Sequence, residues 1–197
     1  MSGRSVILAV EDMLSEVVCT RILNRFGINI SQQLGLKGKG YLQQKVRSLN
    51  QLAKAYPVFV LADLDTPKQC PPQLIQSWIK EKQNAEFFLR VAVMEVESWI
   101  LADRRGIANF LSIPLNRIPS DTDSIPQPKE FLVSLARRSR KNRLREDLVP
   151  AKSATSIVGP GYNSRIGDFV RTCWNLEHAA DVSTSLRRTM ERLSDFG

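Results

Sequence analysis

The chain has 197 residues, 43% of them hydrophobic and 24% charged, with a formal net charge of +8. That composition suits one domain with a proper core and excludes wholesale disorder, and no apolar run reaches the roughly 18 residues of a membrane span. Cys19, Cys70 and Cys173 are scattered without a CxxC pair, so neither a disulfide framework nor a zinc site is supported.

Residues 5–10, SVILAV, form a compact apolar run that suits a strand buried on both faces of a parallel sheet. An acidic pair follows at once, so the run reads as a first strand rather than a signal peptide, and a cytoplasmic protein is expected. Helical spacing of Met13, Val17, Val18, Ile22, Leu23 and Phe26 predicts a helix over 12–26, closed by Gly27. A weak strand is expected over 28–36. Gly35, Gly38 and Gly40 with Lys37 and Lys39 read as a flexible basic loop that touches a phosphate at most, before a helix over about 41–55. This loop lacks the GK[ST] ending of a P-loop.

PVFVLA at 57–62 is the clearest strand and runs straight into Asp63. A helix is expected around 73–83, a strand over 86–94, and a helical stretch from about 95 to 111. The alternation of strand and helix predicts an α/β fold with a mostly parallel, Rossmann-like sheet flanked by helices. After residue 112 prolines punctuate a polar loop, a basic helix spans about 129–145, and a second Pro/Gly-rich loop at 150–162 precedes a terminal helical region. The expected organisation is an α/β core over 1–112 with a helical C-terminal extension, 113–197, packed on it.

Three predicted strands end in acids: Glu11-Asp12, Asp63-Leu64-Asp65, and Glu95 with Glu97. Ligands of doubly wound folds bind at the carboxyl ends of parallel strands, and clustered carboxylates repel one another unless a cation joins them. The one histidine, His178, leaves too little for a His base plus a His ligand. A hydrolytic site here must therefore use carboxylates, which favour Mg²⁺ or Mn²⁺. Each piece also has a plainer reading: Asp63 and Asp65 as strand terminators, and Glu11 and Asp12 as first-turn acids of a helix.

The pattern ILAVED followed by VFVLADLD resembles the two motifs of the Toprim domain of topoisomerases, primases and OLD-family nucleases. VAVMEVESWILADRRGIANFLSIP and PAKSATSIVGPGYNSRIGDFV resemble a Toprim-related family of bacterial and phage-defence proteins close to the OLD-type nucleases. The resemblance spans nearly the whole chain and implies a Toprim-like fold. It makes Glu11 the first-motif acid, acting as general base or further ligand. Asp63 and Asp65 become the metal-binding pair, Glu97 a ligand of the same or a second ion, and Lys152 a stabiliser of the oxyanion or leaving group. Tyr162 matches a further polar position. One departure stands out: Asp12 occupies the place where the first motif usually has Gly.

Arg137, Arg138, Arg140, Lys141, Arg143 and Arg145 fall within nine positions with no acid until Glu146. Such clustering suits a nucleic-acid backbone, although a solvated helix face is the plainer alternative. The leading expectation is a Mg²⁺- or Mn²⁺-dependent endonuclease on DNA or RNA, an effector of anti-phage defence or of a mobile element. The alternatives are a non-catalytic nucleic-acid-binding or regulatory subunit, and another Mg²⁺-dependent phosphoryl transfer. The chain has no Walker motif, so the ABC-type ATPase that often accompanies OLD-type nucleases would be a separate subunit, and self-association stays open.

Overall fold

A computed structural model describes residues 4–196. They form two compact units: residues 4–93 together with 188–196, and Met94–Arg187. The expected boundary at residue 112 falls inside the second of these.

The first unit is built on four parallel strands, β1 (Ser5–Val10), β2 (Asn29–Gly35), β3 (Val58–Asp63) and β4 (Phe87–Ala92), in the order β2-β1-β3-β4. Their connections carry helices α1 (Met13–Arg25), α2 (Lys39–Leu52) and α3 (Pro71–Trp78). Right-handed crossovers fix which face each helix takes. The chain leaves β1 toward β2 on one side and then returns past β1 to reach β3 on the other. Ile7, Ala9, Val58, Val60, Ala62, Phe87 and Leu89 face α2 and α3, packing on Leu42, Val46 and Leu49. The alternate residues point to the other face, where Phe88 lies 4.8 Å from Phe196 and Arg90 donates to the Arg188 carbonyl. β1 and β3 are buried on both faces, which is why their runs are continuously apolar.

β2 is an edge strand and mostly exposed, in keeping with its weak apolar signal. Its last residue, Gly35, adopts φ +102°, and a Cβ there would meet the Val10 carbonyl oxygen at 2.1 Å. The next residues cross the end of β1: Leu36 N–H donates to Val10 O and Gly38 N–H to Glu11 O, each at 3.0 Å.

The second unit is helical: α4 (Val96–Ala102), α5 (Arg104–Leu111), a 3₁₀ turn at Leu115–Arg117, α6 (Pro128–Ala136), α7 (Asn142–Leu148), α8 (Tyr162–Thr172) and α9 (Leu176–Val182). A last helix, α10 (Thr184–Ser194), contributes residues to both units. Two expected helices are broken. The 95–111 stretch divides at Asp103, whose carboxylate accepts from Gly106 N–H at 3.0 Å and from Asn175 N–H at 2.8 Å. The 129–145 stretch divides between α6 and α7, where Ser139 turns inward and its hydroxyl accepts from Lys141 N–H. Trp99 anchors this unit, fully buried with its indole N–H donating to Ser185 Oγ at 2.7 Å.

Gly35→Ala is expected to lower the urea-unfolding midpoint, with a loss of about 2 kcal/mol from positive φ and the clash with Val10. Gly40→Ala, inside α2 with nothing within 4 Å of the added Cβ, is the unstrained comparison and is expected to hold or slightly raise the midpoint.

Candidate functional site

The carboxyl ends of β1 and β3 lie side by side where the chain's direction of travel across the sheet reverses, the place at which α/β folds bind ligands. β1 stops at Val10 because Asp12 begins a helix: its side chain accepts from Ser15 N–H at 2.8 Å, capping α1. Asp12 has φ −145°, ordinary extended backbone, so this turn does not need the glycine usual in the Toprim motif. The Asp12 carboxylate is spent on the cap.

Glu11, between strand and cap, reaches across to β3. Its Oε1 accepts the backbone N–H of Asp63 at 2.9 Å. Burial pushes the Glu11 carboxyl up to about 7; the Asp63 N–H opposes this, the Asp65 charge adds to it, Lys39 opposes it, and Asp12 adds a little. Asp63 is the last residue of β3 and only 6% exposed. The strand ladder continues one residue, with Leu64 N–H donating to Ala92 O, and then turns at Asp65, whose φ is +59°. Asp65 is exposed.

A third element completes the cluster. α2 starts at Lys39, two residues earlier than its apolar spacing suggests, and the ammonium of Lys39 reaches back to the DLD turn. It donates to the carbonyls of Asp63 and Leu64 at 2.6 and 3.2 Å, and to Asp65 Oδ2 at 2.6 Å. The KGKG segment is therefore no free loop: Gly38 is bonded to Glu11, and Lys39 is bonded to the acidic turn. Cys19, fully buried, feels the charges of Asp63 and Asp12. Burial foremost, then these charges, hold its thiol well above the ordinary range, so it is no nucleophile.

Glu11, Asp63 and Asp65 thus lie in one unit, at two adjacent strand ends. Among the described residues no three His, Cys, Asp or Glu side chains stand close enough to cage a metal ion. The groups that do converge are oxygens, two carbonyls and a carboxylate that accept from one ammonium. Hard oxygens of this kind fit Mg²⁺ or Mn²⁺ better than a softer metal.

Glu97 belongs to the second unit, on the first turn of α4, and is wholly buried. Tyr162 donates its hydroxyl to Glu97 Oε1 at 3.1 Å, and the Lys129 ammonium lies 3.6 Å from the same oxygen. Lys129, which no sequence motif singles out, also donates its backbone N–H to Glu95 Oε2 at 2.8 Å, so the start of α6 is held by both acids. Lys152 is exposed in the α7–α8 loop, on the rim of an open cavity of about 510 Å³ shared with Arg137, Glu130, Ser134 and Ile157.

The six clustered cations do not share one helix. Arg137 closes α6, Arg138 and Arg140 lie in the turn, Lys141 precedes α7, and Arg143 and Arg145 are on α7. Lys141 Nζ donates to Phe110 O, and Arg145 to Ser139 O and Asn142 Oδ1. Arg137, Arg138, Arg140 and Arg143 are exposed and form no ion pair among the described residues.

No family model matches the chain, and no curated protein matches it. The solved C-terminal region of the OLD protein of Xanthomonas campestris pv. campestris aligns over 89% of this chain and 96% of that one, at 19% identity and a TM-score of 0.33. A likeness that slight carries neither fold nor function; the fold rests on the sheet described above. Among the described residues no helix is long and apolar enough to cross a membrane.

A raised Glu11 pKa means that the folded state holds a proton the unfolded chain releases near 4.5. Its stabilising contribution is complete below that value and is lost as pH rises through about 7. Glu11→Gln, which keeps the acceptor for Asp63 N–H, is expected to raise the urea midpoint above wild type at pH 8. The gap should close toward pH 5.

Proposed function

We propose that this chain is a nuclease dependent on Mg²⁺ or Mn²⁺, with its site at the ends of β1 and β3. The observation that supports the reading best is the junction of Glu11, Asp63 and Asp65 at the switch point of a parallel sheet, with oxygens converging on one positive charge. Asp63 and Asp65 would hold the ion. When bound, it supplies positive charge against the negative charge that develops on a phosphodiester during displacement.

Glu11 supplies proton transfer. Its carboxyl titrates near 7, where a group can both take and return a proton under ordinary conditions. Because its Oε1 is fixed by Asp63 N–H, the other oxygen is the one to face an attacking water. Arg137, Arg138, Arg140 and Arg143 have their charges free to meet phosphates. These positions are sequence-tolerant, because a backbone contact carries no base information.

A second reading is a non-catalytic nucleic-acid-binding or regulatory subunit. One observation favours it: Asp65 already has a counter-ion of its own in Lys39.

The two readings separate in a cleavage assay on supercoiled plasmid, single-stranded DNA and a structured RNA with Mg²⁺, Mn²⁺ or EDTA. The nuclease reading expects metal-dependent cutting that is abolished in Asp63→Asn and Asp65→Asn. In Glu11→Gln it should fall by about 10²–10⁴-fold, with a flattened pH profile below neutrality. An inert wild type that still shifts these nucleic acids on a gel would select the binding subunit instead.

The basic segment has its own test. Replacing Arg137, Arg140 and Arg143 by Gln should weaken binding to all sequences alike. The slope of log K against log salt should drop by about one for each phosphate that the protein no longer neutralises. An unchanged slope would move the interface elsewhere.

A further inference from the structure

Lys39 is the one residue of the acidic cluster that no motif announces, and its geometry is that of a bound cation. An ammonium carries three N–H donors and no acceptor. Here the three meet Asp63 O, Leu64 O and Asp65 Oδ2 at 2.6, 3.2 and 2.6 Å, an all-oxygen set supplied wholly by the DLD turn. The backbone makes this set possible. Asp65 lies in the left-handed region, and its carboxylate meets the same ammonium as the two preceding carbonyls. Gly38, at φ +79°, starts α2 so that residue 39 stands opposite the turn.

The pair is also displaceable. The Lys39 and Asp65 side chains are 29% and 46% exposed, and ion pairs at such positions contribute little because water screens them. A lysine stem is long and flexible, so its ammonium can leave without disturbing α2. A divalent cation and an ammonium cannot share the same three oxygens, since their charges would stand only a few ångströms apart.

We propose that Lys39 is a tethered counter-ion of the DLD turn, which a divalent metal must displace before Asp65 can bind it. The inference rests on the metal-dependent reading above and adds to it a residue that sets metal affinity. Lys39 thereby holds the turn in its binding shape in the absence of the ion and competes with it in its presence. Neighbouring Lys37 does neither: its ammonium lies over the Tyr41 ring, 5.2 Å from the centroid.

The test is direct binding of Mn²⁺, read by the electron paramagnetic resonance of the free ion, in wild type, Lys39→Met, Lys39→Gln, Lys37→Met and Asp65→Asn. Removing the competing charge at residue 39 should tighten Mn²⁺ binding by about tenfold or more. Lys37→Met should leave it within about twofold. Adding Asp65→Asn to Lys39→Met should cancel the gain. Lys39→Gln retains donors toward the two carbonyls and carries the comparison if the methionine variant does not fold, as judged by its thermal melt.

Mn²⁺ binding that is unchanged or weaker in both residue-39 variants, while Asp65→Asn loses it, would overturn the role of Lys39 and leave the metal site standing. An equal gain in Lys37→Met would also overturn it, as an effect of net charge alone. Absence of Mn²⁺ binding in every variant would remove the metal-dependent reading itself, and this inference with it.

Discussion

The arrangement of the acidic cluster depends on one hydrogen bond, from Asp63 N–H to Glu11 Oε1. β1 and β3 are neighbours in the sheet, yet their pairing ends at Val10 and Leu61, and beyond that point the ladder no longer holds the two chains together. The Glu11 carboxylate bridges the gap. A hydrogen bond to a charged acceptor contributes about 1.5–3 kcal/mol, but the same burial that strengthens it also penalises the charge. The outcome is a carboxyl group that takes up a proton near 7. The hydrogen bond that sets the structure here lowers the proton affinity, and burial outweighs it.

Much of this was legible in the sequence because parallel strands buried on both faces leave an unbroken apolar record. SVILAV and PVFVLA mark β1 and β3 to within a residue, and the acids that follow them mark the strand ends, the place at which α/β folds in general bind ligands. The edge strand β2 has no buried face of its own and left only a faint trace. Lys39 left none, because a lysine between two glycines looks like solvated loop, and its partners are 24 to 26 residues away. Periodicity carries no information about pairings of that kind.

The helix breaks were hidden for a related reason. Apolar spacing continues through 95–111, so the sequence reads as one helix. The break comes from Asp103, whose carboxylate is claimed by a backbone N–H 72 residues on. In the basic stretch, helix-favouring arginines mask a turn set by a buried serine, and the turn spreads the cations over two short helices instead of one face. Glu97 shows the opposite case. The acid before the tryptophan was visible, but its partners Tyr162 and Lys129 come from α8 and α6, and only the packing of the helical unit reveals them.

Four acids, Glu11, Asp12, Asp63 and Asp65, fall at two adjacent strand ends, and like charges so close cannot all stay bare. Three of them meet this constraint in different ways. Asp12 gives its charge to the N-terminus of α1, Asp65 to the ammonium of Lys39, and Glu11 takes up a proton. The solution at Asp65 traces to the segment that crosses the end of β1. Gly35 can approach the Val10 carbonyl only because it lacks a Cβ. Gly38 N–H ties the segment to the Glu11 carbonyl, and the helix that starts there puts Lys39 opposite Asp65. The glycines that look like the marks of a loose loop are the residues that hold it against the acids.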